Sequence, residues 1–151
     1  MDFPAHIPFT HTIGLELVHM GEGEAELRLA LRPELSNSYG VAHGGLLMTA
    51  LDVAMAHAAR SVHAAPDYAP GAVTLEMKAS FLRPGLGEMK VTGRLLHRTA
   101  TLAFCEATVW GEQGQACATA SGTFKFMRAL PTSSDTVQAL NPARSGGDGS
   151  S

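Results

Sequence analysis

One segment of the sequence carries residues that together could perform acyl-transfer chemistry. It runs from Asn37 to Asp52 and its sequence is NSYGVAHGGLLMTALD. Gly44 and Gly45 lie where a loop becomes a predicted helix, so their N–H groups belong to a first turn that lacks intrahelical acceptors. Because glycine has no side chain, another group can approach this backbone closely, and the helix dipole adds partial positive charge. The pair is therefore suited to holding a developing oxyanion.

Asp52 is the possible proton acceptor in the same segment. It is the only acidic residue between Glu34 and Asp67, and no Lys or Arg lies within one turn of it. Burying an ionised carboxylate in an apolar helix costs several kcal/mol unless the charge is paired or hydrogen-bonded. An acid kept in such a place indicates a general base or a nucleophile. The alternative is a structural carboxylate bonded to backbone or Ser/Thr donors of a neighbouring element.

The spacing of these groups has a consequence for assembly. Gly44 and Asp52 are eight residues apart, which is about 12 Å along a helix axis. One chain therefore cannot place its own Asp52 against a carbonyl that its own Gly44 holds. Two antiparallel helices related by a two-fold axis could bring Gly44 of one chain near Asp52 of the other. If both groups serve one reaction, the protein is at least a dimer.

The elements that must position these residues are one helix and five or six strands. The helix, about 44–62, is apolar on nearly every face before Arg60, which is typical of a buried helix. Alternating or β-rich runs separated by turn signals predict the strands, at 15–20, 23–31, 73–81, 88–96, 102–110 and 116–127. In the third run the apolar residues alternate with polar ones, which predicts one shared face for Val73, Leu75, Met77, Ala79 and Phe81. One buried helix with a single sheet to cover it predicts an α+β protein in which a curled antiparallel sheet wraps around one long central helix. That arrangement is the hotdog fold.

Length and composition limit the other possibilities. The 151 residues suit one compact domain, the net charge is −3, and the sequence pI is near 6.1. We therefore expect neither nucleic-acid binding nor attraction to anionic membranes, and the longest apolar stretch is too short to span a bilayer. The two cysteines fit a reducing, cytoplasmic location. We divide the chain into a leader, 1–12, a folded domain, 13–128, and a Ser-, Gly- and Pro-rich tail, 129–151, which we expect to be disordered.

The segment that ends at Asp52 resembles a known family. Asn37, His43, the glycine pair and Asp52, followed by the run 73–88 with its Phe-Leu-Arg-Pro-Gly end, are similar in type and spacing to hotdog-fold acyl-CoA thioesterases of the phenylacetate-pathway (PaaI-like) branch. The resemblance covers about residues 13–128. It implies an enzyme that hydrolyses an acyl-CoA thioester to a free acid and CoA, with no cofactor beyond the coenzyme A of its substrate. It favours a dimer of dimers, a homotetramer.

The resemblance also implies roles for individual residues. Asp52 would activate a water or attack the carbonyl directly, and the amide of Gly44 from the facing subunit would polarise that carbonyl. Asn37 would position the water or the thioester, His43 would orient the loop or contact the thioester, and Thr74 would orient the carboxylate. Each of the last three has a structural alternative: turn formation for Asn37, a loop hydrogen bond for His43, and an ordinary strand position for Thr74.

Further binding residues follow from side-chain chemistry. Gly45 would let the substrate approach the backbone, and the guanidinium of Arg83 could bind CoA phosphates or could simply be solvated at a strand end. We expect no metal site, because His57 and His63 lie on different helix faces and no Cys or carboxylate completes a ligand set.

Two other functions stay open. Some hotdog hydratases use an Asp and a His five residues later, as in Asp52 and His57, but on a helix these residues point about 140° apart. We therefore expect that they cannot easily share one substrate. The other alternative is an acyl-CoA-binding sensor without catalysis, since a fold does not determine a function.

Overall fold

The fold is described by a computed structural model of residues 1–63, 70–127, 129–131 and 137–139. Its main helix, α2, spans Gly44–Arg60 and continues into a 3-10 turn, Ser61–His63. A short helix, α1, spans Pro8–Ile13, and a second 3-10 turn spans Pro33–Leu35. The strands are β1 Glu16–Gly21, β2 Glu24–Ala30, β3 Gly71–Phe81, β4 Glu88–Arg98, β5 Leu102–Trp110, β6 Ala116–Met127, β7 Ala129–Pro131 and β8 Val137–Ala139.

Six strands form one antiparallel sheet that covers the main helix. Their order is β1-β2-β4-β5-β6-β3, and every neighbouring pair is antiparallel. The helix α2 packs against all six strands. This arrangement confirms the predicted hotdog fold, with six strands out of the five or six expected. The long helix and these six strands lie within a few residues of the predicted ranges, whereas α1, β7 and β8 were not predicted.

The core forms where alternating strand residues meet the apolar faces of the helix. On β2 the inward residues Ala25, Leu27 and Leu29 are buried, while their neighbours are exposed or half-buried. On α2 the side chains of Ala50, Leu51, Ala54, Met55 and Ala58 are completely buried. The strand period of two and the all-round apolar helix therefore produce the layers that the sequence predicted.

A β-bulge at Leu75 changes which residues of β3 face the helix. The register shifts there: Thr74 pairs with Phe124, whereas Glu76 pairs with Thr123. Because a bulge adds one unpaired residue, the alternation of faces changes at that point. Thr74 thus lies on the same face as Met77 and Ala79, and Leu75 is 55% exposed. The simple alternation through Leu75 and Met77 that we predicted is wrong at this position, and the bulge is the reason.

Both ends of the chain contain secondary structure that the division into a leader and a tail did not include. In the leader, Ala5 and Thr10 are buried, and Pro8–Ile13 is helical. In the predicted tail, β7 and β8 pair with each other in antiparallel fashion. Residues 132–136 and 140–151 lie outside the described residues, so the expected disorder of the tail stays a prediction. Within the described part of the chain, no helix is both long and apolar enough to cross a membrane.

Gly93 sets the distance between the helix and the sheet. A Cβ atom at this position of β4 would lie 2.4 Å from the carbonyl oxygen of Ala54 and 2.6 Å from its carbonyl carbon. Both atoms belong to the backbone of α2, so a side chain could be accommodated only by moving the helix. A glycine in a strand interior marks such a close approach of another backbone.

We predict that Gly93→Ala lowers the free energy of unfolding by about 1–3 kcal/mol, the usual cost of overpacking a core. Urea unfolding followed by circular dichroism measures this quantity. Ser121→Ala is the matched control, since Ser121 is an exposed strand residue and should change stability by less than about 0.5 kcal/mol. Equal stability of Gly93→Ala and this control would contradict the close-approach argument.

Candidate active site

Asp52 is held by a side chain from the sheet. The Thr74 hydroxyl donates a hydrogen bond of 2.5 Å to Oδ1 of Asp52. Both residues are half-buried, and none of the salt bridges among the described residues includes Asp52. Its second oxygen, Oδ2, has no hydrogen-bond donor within the described ranges. The carboxylate is thus oriented through one oxygen and leaves the other available.

The protein environment makes Asp52 a stronger base than an exposed aspartate. Burial raises its pKa above the usual value, because removal from water disfavours the charged form. The hydrogen bond from Thr74 acts in the opposite direction and is the smaller effect. This pKa direction is the one that a general base near neutral pH requires.

A cavity opens beside Asp52. It has a volume of about 330 Å³ and is bounded by the helix, the first residues of β3, the end of β6 and the N-terminal segment. Its lining residues are Ala5, His6, Ile7, Asp52, Val53, Ala56, His57, Arg60, Gly71, Ala72, Val73, Thr74 and Met127. We call this space the Asp52 cavity. Most of its wall is apolar, with polar groups at Asp52–Thr74, at His57–Arg60 and at His6.

His43 caps the N-terminus of α2. This residue is the N-cap of α2, and its ring Nδ1 accepts a hydrogen bond of 2.9 Å from the N–H of Gly45. A Cβ at Gly45 would lie only 3.1 Å from that nitrogen, so the capping ring explains the glycine. The N–H of Gly44 has no acceptor among the described residues. The amide of Gly44 is therefore available for an oxyanion, while that of Gly45 is occupied.

Asn37 shapes the loop that leads to this N-terminus. Its Oδ1 accepts hydrogen bonds from the N–H groups of Tyr39, at 2.9 Å, and Val41, at 3.3 Å. The turn formation that we considered as an alternative is therefore what the side-chain oxygen does. The side-chain amide nitrogen has no such bond within the described part of the chain, so a role toward a substrate would fall to that nitrogen.

Arg83 lies on the Gly44 side of the molecule. Its Nη1 donates to the carbonyl oxygen of Ala116 at 2.8 Å, and the residue is exposed. Together with Asn37 and Gly44 it lines a second cavity of about 330 Å³. We call this space the Gly44 cavity. A larger cavity of about 580 Å³ lies on the outer face of the sheet near Trp110 and contains none of the predicted site residues.

The predicted residues therefore fall into two groups within one protomer. Asp52 and Thr74 line the Asp52 cavity, whereas Asn37, Gly44 and Arg83 line the Gly44 cavity. This separation agrees with the distance of about 12 Å expected along the helix. The geometry of a single chain does not bring the carboxylate and the free amide to one point.

His57 is a site residue whose place in the cavity we did not predict. From the angle of about 140° we expected that Asp52 and His57 could not easily share a substrate, and the structure shows that both line the Asp52 cavity. The cavity runs along the helix face that carries Val53, Ala56 and Arg60. It therefore extends from Asp52 to His57. The N-terminal residues in its wall were missed as well, and no sequence pattern indicated them.

Comparisons with known proteins identify a family and several proteins to which the chain is similar. The family model of the thioesterase superfamily matches residues 39–118. A conserved protein of Pseudomonas aeruginosa is 33% identical, with a TM-score of 0.75 over 82% of this chain and 97% of that one. A variant of the phenylacetic acid degradation protein PaaI from Thermus thermophilus is 28% identical, with a TM-score of 0.70 over 80% and 99%. The medium/long-chain acyl-CoA thioesterase YigI of Escherichia coli is 26% identical over 135 residues, 81% of this chain and 87% of that one.

We predict that Asp52→Asn raises the melting temperature at neutral pH by about 1–3 °C. The folded state pays to bury the ionised carboxylate, and the amide keeps an acceptor for Thr74 without that charge. The sign follows from the raised pKa. The advantage of the variant is complete above the folded-state pKa of Asp52, shrinks as the pH falls through it, and vanishes below the unfolded value of about 3.9.

Calorimetry of the wild type and the variant across this pH range measures the difference. Asp2→Asn is the control, because Asp2 is exposed and its substitution should leave the melting temperature unchanged. A variant less stable than the wild type at neutral pH would show that Asp52 stabilises the fold as a charged group.

Proposed function

The chain belongs to the thioesterase superfamily, and from that premise we propose that it hydrolyses acyl-CoA thioesters to a free acid and CoA. Membership agrees with the thioester hydrolase predicted from the sequence. The observation that carries the proposal is the half-buried Asp52, held through Oδ1 by Thr74 at the edge of a largely apolar cavity. The name of YigI, an acyl-CoA thioesterase, supports the choice of thioester.

The chemistry we propose uses the free oxygen of Asp52. Oδ2 takes a proton from a water as the water oxygen attacks the thioester carbonyl, and the N–H of Gly44 from the facing subunit stabilises the oxyanion. Collapse of the tetrahedral intermediate breaks the C–S bond and releases the CoA thiolate, which acquires a proton. Direct attack by Asp52 would instead form an anhydride that water then opens. Asn37 and His43 position the loop that carries Gly44, and Arg83 binds CoA phosphates near it.

The proposed site needs two subunits. Asp52 and Gly44 of one chain line different cavities, so the second half of each site must come from another copy. The strand β3 supports this assembly: it is the last strand of the sheet and pairs only with β6 within the described ranges. Leu75 and Phe81 of this strand are 55% and 52% exposed. A long edge strand with exposed apolar side chains is expected to be covered by a partner.

We propose the dimer as the catalytic unit and a dimer of dimers as the complete assembly, as the sequence resemblance implies. The two free cysteines, Cys105 and Cys117, are both buried, which agrees with the reducing cytoplasm that we propose as the location. Analytical ultracentrifugation distinguishes a dimer from a tetramer.

A hydratase is the second candidate, because Asp52 and His57 line one cavity. Addition of water to an enoyl-CoA requires a base for the water and an acid for the carbon, and these two side chains could share those tasks. Formation of the 3-hydroxyacyl-CoA without thiol release, followed by mass spectrometry, would favour this function. Thiol release with the double bond retained in the product acid would exclude it.

We predict that Asp52→Asn lowers kcat for thiol release by about 10²–10⁴-fold, the usual contribution of a general base. A panel of straight-chain and aryl acyl-CoAs with a thiol reagent provides the assay and shows the preferred acyl group. Because the variant is expected to be at least as stable as the wild type, a loss of turnover would be chemical. Turnover close to that of the wild type would contradict the mechanism. Acyl-CoA binding by a folded wild type that hydrolyses none of the panel would favour a sensor.

We predict that Gly44→Pro lowers kcat by about 10²–10³-fold, the effect of removing one oxyanion donor. Proline is well tolerated at the first helical position, His43 before it is extended at φ −59° and ψ 138°, and the amide hydrogen is lost. Gly44→Ala is the control: it keeps the N–H, and its Cβ would lie 3.6 Å from the ring of Phe81. It should retain most of its stability and more activity than the proline variant.

Pairing the two inactive variants tests the shared site. A mixed dimer of Asp52→Asn and Gly44→Pro has one site with intact Gly44 and intact Asp52, and one site with neither. Random mixing should therefore restore about one quarter of the wild-type activity, since half of the dimers are mixed and each has one active site. Co-expression with two affinity tags isolates the mixed species. No recovery in the mixed dimer would show that each chain acts alone.

A further inference from the structure

We propose that His57 determines which acyl groups are preferred: its Nε2 accepts a hydrogen bond from a neutral donor, a hydroxyl or amide N–H, carried by the acyl chain. Acyl-CoAs with such a donor should then be better substrates than hydrocarbon acyl-CoAs of the same length. This inference rests on the proposed function, because it concerns the cavity in which we place the acyl group.

The ring of His57 is buried, and only one of its two nitrogens has a hydrogen-bond partner among the described residues. Only 3% of the residue is exposed, and Nδ1 lies 2.8 Å from the carbonyl oxygen of Val53, one turn earlier on the helix. A carbonyl oxygen can only accept, so the proton of the neutral ring is on Nδ1 and Nε2 is a bare acceptor. Nε2 is buried and has no partner among the described residues. Buried polar atoms without a partner are rare, since each costs free energy.

The charge of the surroundings decides what could bind to this nitrogen. The pKa of His57 is lowered to about 4, mainly by burial and to a smaller extent by the positive charge of Arg60, while the Val53 carbonyl acts in the opposite direction. The ring is therefore neutral at physiological pH and Nε2 accepts only. Arg60 lines the same cavity, and its charge disfavours a cationic donor such as an ammonium group. A neutral hydroxyl or amide N–H fits both conditions.

The position of His57 suits the far part of an acyl chain. It lies five residues after Asp52, about 7.5 Å further along the helix axis. Between them the wall is formed by the apolar side chains of Val53 and Ala56 on the helix, with Ile7 and Val73 from other segments. A chain whose carbonyl lies at Asp52 can follow this wall. Beyond the Asp52–Thr74 pair, the polar residues of this wall are His57, Arg60 and His6.

Phe3 holds the ring in place. Its ring packs edge-on against His57, with centroids 4.9 Å apart and an interplanar angle of 66°. The bond to Val53 and this contact together restrict the imidazole to one orientation. A fixed acceptor distinguishes acyl groups with a donor from acyl groups without one better than a mobile acceptor does, because an acyl group without a donor leaves the acceptor unpaired.

The test compares 6-hydroxyhexanoyl-CoA with heptanoyl-CoA, which have equal numbers of non-hydrogen atoms. The ratio of their kcat/KM values should favour the hydroxyacyl substrate in the wild type. His57→Phe, which retains a ring of similar size but no acceptor, should lower this ratio at least fivefold. His63→Phe is the matched control, since His63 packs against Phe126 at 4.6 Å and lies outside the Asp52 cavity, and it should leave the ratio unchanged.

A smaller change in the ratio, or a wild type that prefers heptanoyl-CoA, would overturn the inference. In that case a water molecule would be the better partner for Nε2.

A measurement on the unaltered protein guards against a misfolded variant. Ketone analogues, in which a methylene replaces the thioester sulfur, bind without being hydrolysed. The ¹⁵N chemical shift of His57 Nε2 should move on binding the hydroxylated analogue and stay in place with the heptanoyl analogue. Equal shifts with both analogues would overturn the inference.

The same measurement separates two failures. A protein that hydrolyses no acyl-CoA refutes the proposed function, yet the nitrogen shift still reports whether His57 recognises the donor. A protein that hydrolyses both substrates with one ratio in wild type and His57→Phe supports the function and refutes the inference.

Discussion

The candidate site depends on holding one carboxylate half-buried on a largely apolar helix. Asp52 lies on α2, whose other faces are covered by the sheet, and its burial raises its pKa. A single hydroxyl from β3, that of Thr74, orients it. The bulge at Leu75 places that hydroxyl on the helix side of the strand. Helix, bulge and carboxylate are therefore parts of one arrangement, and moving any of them would change the basicity of the other oxygen.

Helix length imposes a second constraint. The free amide at the N-terminus of α2 and the carboxylate in its middle line separate cavities of the protomer. A rigid helix cannot shorten the distance between its own residues, so only another copy can bring the two groups to one carbonyl. The edge strand β3, which carries Thr74 and ends beside Gly44, is where such a copy could pair. In this scheme assembly and catalysis depend on the same strand.

Much of the architecture was predictable because it follows from short-range patterns. The period of two in β2 and the apolar run of α2 correspond directly to their buried faces. Asp52 could be singled out because an unpaired acid in an apolar helix is costly. Leu75 was misplaced because a bulge leaves no mark on alternation until strand pairing is known. Gly93 and His57 depend on which backbone or cavity lies opposite them, and no local pattern contains that information.

By itself the sequence determined the order of the long helix and the six main strands, the family and the residues able to do chemistry, since these depend on composition, period and spacing along the chain. Only the tertiary structure decided which of those residues meet. It joined Thr74 to Asp52 and placed His57 in the wall of the Asp52 cavity. The physical reason is that a hydrogen bond or a cavity wall is formed by residues far apart in the chain, and their approach is set by packing.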